Sequence, residues 1–84
     1  MTEKFPDLQS GQVALLRADI NTGIVLDENF KRAISSDQKV FSIFNDIEKA
    51  IGFAKLIIND RNDIECNLYG MDEKFLQRIT YEDL

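Results

Sequence analysis

Asn45-Asp46-Ile47-Glu48-Lys49-Ala50-Ile51-Gly52-Phe53-Ala54-Lys55-Leu56-Ile57-Ile58-Asn59 is the stretch that decides the fold. Ile47, Ala50, Ile51, Ala54, Ile57 and Ile58 recur at i, i+3, i+4, i+7, i+10 and i+11, one stripe of an α-helix. Ile51 lies at the centre of that stripe. Phe53 flanks it and Leu56 points roughly opposite. Asn45 reads as the N-cap, with Glu48 three residues on closing a capping box. Asn59-Asp60-Arg61-Asn62-Asp63 is polar and ends the helix. A one-striped helix needs an apolar surface to lie on.

The flanking sequence supplies that surface as strands. Downstream, Ile64-Glu65-Cys66-Asn67-Leu68-Tyr69 alternates, with Ile64, Cys66 and Leu68 toward the core and Glu65, Asn67 and Tyr69 outward. Gly70 to Lys74 turns the chain, and Phe75 to Thr80 returns as a strand. Tyr81 to Leu84 is a tail. Upstream, Lys39 to Phe44 reads as a strand, with Phe41 and Ile43 the core pair and Val40, Ser42 and Phe44 on the opposite side. Val13 to Ile20 and Ile24 to Leu26 form a hairpin about Asn21-Thr22-Gly23, where Asn and Gly accept positive φ. Residues 27–38 read equally well as a short helical turn around Phe30, Ala33 and Ile34 or as an ordered loop. Residues 1–11 are a leading arm.

The expected architecture is α+β, in the order β-β-β-α-β-β. One domain spans 1–84, with an antiparallel-rich sheet of four to five strands and one main helix on one face. The other sheet face, including Tyr69, Val40 and Phe44, is expected to be open to solvent or to a partner.

Composition narrows the chemistry. The chain has 84 residues, 44% hydrophobic and 30% charged, an ordinary globular balance. There is no His, which removes the commonest general base, nucleophile activator and metal ligand. Gly11, Gly23, Gly52 and Gly70 stand singly, so no phosphate loop exists. An enzyme is therefore not expected, and neither is a cofactor. Asp60, Asn62, Asp63 and Glu65 are oxygen-rich, but their spacing fails the calcium-loop pattern and no metal is expected. Cys66 is the only cysteine, and its alternation with Ile64 and Leu68 predicts a buried, inert thiol. With no apolar run long enough for a membrane helix and no signal-like start, a cytoplasmic protein without membrane contact is expected.

The net charge is −5. Residues 60–84 carry seven acids against three bases, while the first 59 residues carry eight and seven. Direct nucleic-acid binding is disfavoured by this balance, and a basic protein partner suits it. Asp60, Asp63, Glu65, Asp72 and Glu73 around Tyr69 form the expected partner-binding set, with Phe53 and Leu56 as a second candidate surface. Homo-oligomerisation is left open.

Val40-Phe41-Ser42-Ile43-Phe44, the helix with Glu48-Lys49-Ala50 and Phe53-Ala54, and Asp63 to Tyr69 with its Ile64-Glu65-Cys66 resemble small bacterial immunity-type proteins that neutralise toxins. The resemblance covers about a third of the chain and carries no functional residues across. It implies an inhibitor that covers the active site of a toxin or basic enzyme. An inhibitor of a nucleic-acid enzyme acting by acidic mimicry, and a small ligand-sensing domain, are the alternatives.

Overall fold

The computed structural model describes residues 3–84. Strands β1 (Val13–Asp19), β2 (Val25–Leu26) and β3 (Phe41–Phe44) precede helix α1 (Ile47–Asp60), and β4 (Ile64–Tyr69) and β5 (Phe75–Ile79) follow. This is the expected α+β order. Every pairing is antiparallel. β4 lies between β1 and β5. The other side of β1 is shared, with Val13 to Leu16 opposite β3 and Arg17 and Ala18 opposite β2. No helix among the described residues is long and apolar enough to cross a membrane.

The helix lies on the face carrying Val13, Leu15, Ile64, Cys66, Leu68 and Ile79. These side chains form one buried cluster with Ala50, Ala54, Ile57 and Ile58. The two alanines let the helix axis approach the sheet closely, and the isoleucines fill the far end. Ile51 is only half-buried, so the stripe is centred one position away from where its periodicity puts it. Leu56 is 70% exposed, as its position on the helical wheel requires.

Three local expectations are corrected. The N-cap is Asp46, whose carboxylate accepts from the Lys49 amide at 2.8 Å, while Asn45 is turned toward Gln12. In β3 the core residue is Phe44, which packs on the helix side against Phe53 at 5.2 Å; Ile43 is 48% exposed. Val40 precedes β3 and is buried. Of the two readings open for residues 27–38, the ordered loop is the one that forms. The Asp27 carboxylate pins it by accepting from the Asn29 and Lys31 amides and the Gln38 side chain. These bonds, led by Gln38, hold Asp27 below the usual aspartate range.

The second sheet face is not open. The arm crosses it, placing Phe5 edge-on to Phe41 at 5.2 Å and to Tyr69 at 6.1 Å, with Phe75 on the far side of Tyr69 at 5.7 Å. The Glu3 carboxylate accepts from the Val40 and Phe41 amides, fastening the arm's start.

Candidate functional site

The β4–β5 connection builds the site's rim. Met71-Asp72-Glu73-Lys74 closes with the Lys74 amide donating to the Met71 carbonyl at 3.2 Å, and Asp72 and Glu73 have φ of 60° and 59°. Two successive positive φ values make a type I′ turn, the geometry that matches strand twist and that normally takes Asn-Gly. Asp and especially Glu are unfavourable there, at a cost of about 1 kcal/mol each. The strand pairing beyond the turn overrides that cost and holds both carboxylates outward.

Opposite the turn runs the arm. Phe5, Pro6, Asp7 and Leu8 from the arm and Asp72 and Glu73 from the turn enclose an open recess of about 380 Å³. Phe5 of its wall also belongs to the aromatic row Phe41, Phe5, Tyr69 and Phe75. The carboxylates of Asp7, Asp72 and Glu73 have neither an ion pair nor a hydrogen bond among the described residues. The recess therefore presents three unpaired carboxylates on a lining that is mostly polar, although Phe5, Pro6 and Leu8 are among its residues. Such a pocket suits a cationic group, the head of Lys or Arg.

The expected partner-binding set is only partly assembled. Asp72 and Glu73 meet at the recess, whereas Tyr69 does not line it and packs half-buried between Phe5 and Phe75. Asp60 and Asp63 sit at the other end of β4, roughly 20 Å away along the strand. Asp63 is occupied by Arg61, which bonds its two carboxylate oxygens at 3.1 and 3.0 Å and holds its pKa down. Glu65 accepts from Asn67 and from Arg78, the latter at 2.8 Å; burial pushes its pKa up, but these bonds outweigh it and the net shift is downward. Asp60, Asp63 and Glu65 thus do not join a common surface with the recess. No group of three or more metal-ligating side chains forms among the described residues.

Asp7 enters the site from the arm, and sequence reading missed it because nothing periodic marks the arm as folded. Arg17 was missed too. It is 2% exposed on the helix face, with Nη2 donating to Ser42 Oγ at 2.7 Å and Ser42 Oγ in turn donating to Glu28. Its Nε and Nη1 are buried without a partner, and Phe53 lies 5.8 Å over the guanidinium. Burial lowers its pKa. Cys66, its cross-strand neighbour, is fully buried, which pushes the thiol up to about 11 and leaves it un-ionised and unreactive at neutral pH. Phe53 is 39% exposed and is committed to Phe44 and Arg17, while Leu56 projects freely beside it.

Comparison with protein-family models, with curated proteins and with solved structures gave no match, so the reading of this site rests on its own chemistry.

Proposed function

We propose that this chain is a protein-binding inhibitor of the immunity type, and that its recess receives a basic side chain of a toxin or other basic enzyme. The observation that supports this most is the type I′ turn. Asp72 and Glu73 stand where Asn-Gly would be more stable, so the chain keeps two unpaired carboxylates at the recess at the expense of stability. Asp7 adds a third charge on the arm side of a mostly polar recess. The net charge of −5 steers a cationic partner toward this surface. The resemblance of Val40 to Tyr69 to immunity-type proteins points the same way. The protein acts by occupancy rather than by chemistry, covering the partner's functional site.

The product of the neighbouring gene is the partner to try. It is purified and titrated with the wild-type chain and with an Asp7→Lys, Asp72→Lys, Glu73→Lys variant, following binding and the partner's own activity. The wild type should bind and inhibit, with association slowing as salt rises. The charge-reversed variant should associate about tenfold more slowly at low salt and lose that salt dependence. If the folded variant binds like the parent, the recess is not the interface. If the wild type does not bind but is stabilised by a metabolite or metal in a thermal-shift screen, the ligand-sensing alternative replaces this reading.

A further inference from the structure

The arm is held at its two ends. At its start the Glu3 carboxylate accepts from the Val40 amide at 2.9 Å and from the Phe41 amide at 3.1 Å. Two residues on, the half-buried Phe5 ring meets Phe41 and Tyr69 edge to face. At the far end residues 9–12 turn the chain into β1. There the Gln12 amide donates to the Gln9 carbonyl at 3.0 Å, and Gly11 takes a φ of 86°. Gln12 Nε2 ties this turn to Asn45 Oδ1 at 3.4 Å. Between the ends, no backbone amide or carbonyl of residues 4–8 has a hydrogen-bond partner among the described residues. A segment tied at one end and fastened at the other by one carboxylate and one ring opens at lower cost than a paired strand.

Closing the arm also brings like charges together. Asp7 rides on the arm, and Asp72 and Glu73 stand on the turn across the recess. Lys4 and Lys74, beside them in sequence, are exposed and pair with none of the three. All three carboxylates line one space of about 380 Å³, well inside the Debye length of about 30 Å at about 0.01 M salt. Their repulsion opposes closure while the recess is empty. Salt screens it, and a cation between them reverses it. Because its walls come from both elements, the recess exists only while the arm is down.

We infer that residues 3–8 are a strap that lifts about the 9–12 turn while sheet and helix stay folded, and that a cation in the recess draws it shut. Lifting removes the acceptor of the Val40 and Phe41 amides, bares the rings of Phe41 and Tyr69, and carries Asp7 away from Asp72 and Glu73. Closure around a cation restores all three. Occupancy of the recess is therefore felt at the Glu3 end of the arm, because a ligand that binds only the closed form shifts the population toward it. Closure by a cation rests on the reading of the recess as the place for a basic side chain. The lifting of the strap does not.

The test is amide hydrogen exchange of the free protein, with the Ala54 and Ile58 amides inside α1 reporting global unfolding. The Val40 and Phe41 amides should exchange faster than those two at every salt concentration. Raising salt from about 0.01 M to about 0.15 M shortens the Debye length to about 8 Å and should slow Val40 and Phe41 about twofold relative to α1. Asp7→Asn and Glu73→Gln, both at exposed positions, should each show the slower rate already at low salt and lose most of the salt response. Trilysine added at constant ionic strength should slow the same two amides in the wild type, and less in Asp7→Asn. Val40 and Phe41 exchanging only in step with α1 would overturn the strap. Variants that exchange like the parent, or a wild type without a salt response, would overturn the opposing charge. No effect of trilysine would overturn closure by a cation. A neighbouring gene's product that fails to bind would end the inhibitor reading of the recess instead, since the strap is measured without it.

Discussion

The two faces of the sheet are both covered, but by different means. Under the helix, Leu15, Ile64, Cys66, Leu68 and Ile79 are fully buried against Ala50, Ala54 and Ile58. Under the arm, four aromatic rings meet edge to face, and Phe5, Phe41 and Tyr69 remain half-buried while Phe75 is exposed. A helix satisfies its own backbone and brings a dense stripe. An extended arm brings one ring at a time and leaves space beside it. The dense face carries the stability, and the loosely covered face leaves room for the recess.

The largest effect should come from a charge on the dense face. Ile58→Asp buries an unpaired carboxylate at a site with no exposure, at a cost of about 5 kcal/mol or more, comparable to the whole stability of so small a domain. No cooperative melting transition is expected. Ile51→Asp, on the margin of the stripe, should leave a folded protein with a lowered melting temperature. If the two variants melt alike, the helix stripe is centred elsewhere.

On the arm face, Phe5→Ala should cost only about 2 kcal/mol, since a half-buried ring is lost and solvent can fill its place. Cys66 reports separately on the helix face. In the Phe5→Ala variant its thiol should stay as unreactive as in the parent until denaturant is added. Rapid labelling would mean the two faces open together and are not independent.

Arg17 is the one discordant group on the dense face. A buried guanidinium with two unpartnered nitrogens is destabilising, and Arg17→Met keeps the length of the stem without the charge. The variant should gain about 2 kcal/mol, read as an upward shift of the denaturation midpoint at unchanged slope. A loss of stability would show that the Ser42–Glu28 relay contributes more than burial of the charge costs.

The contrast between the faces also explains what was legible in the sequence. The helix and β4 announce themselves because burial on one side imposes a period, 3.6 in Ala50, Ala54, Ile57 and Ile58 and two in Ile64, Cys66 and Leu68. The hairpin was legible in Asn21-Thr22-Gly23, where Gly23 adopts a φ of 77°. The spacing gives Phe41 and Ile43 the helix face and Phe44 the opposite one, the reverse of what forms, because a four-residue strand with apolar residues on both sides has no polar side to tell which face is the core. The arm has no period at all. The contact of Phe5 with Tyr69 spans 64 positions and shows only in three dimensions. The acidic site was therefore half legible: Asp72 and Glu73 from charge, Asp7 not at all, and Asp60, Asp63 and Glu65 grouped by sequence nearness that β4 then pulls apart.

The smallest change bears most directly on the recess. Asp72→Asn with Glu73→Gly restores the residue types that a type I′ turn prefers, without altering the backbone it already has. Relief of left-handed strain should raise stability by about 1 kcal/mol, a shift of several degrees in melting temperature for a domain of this size. The same pair of changes removes two of the three recess carboxylates, so association with a basic partner should slow and its salt dependence shrink. The two readouts separate the causes. Higher stability with weakened binding is the signature of a turn whose sequence serves the site rather than the fold. Higher stability with unchanged binding would mean that the strain has no functional counterpart in the recess. No gain in stability would mean that Asp72 and Glu73 are not strained, and the main support for the recess as the binding site would be gone.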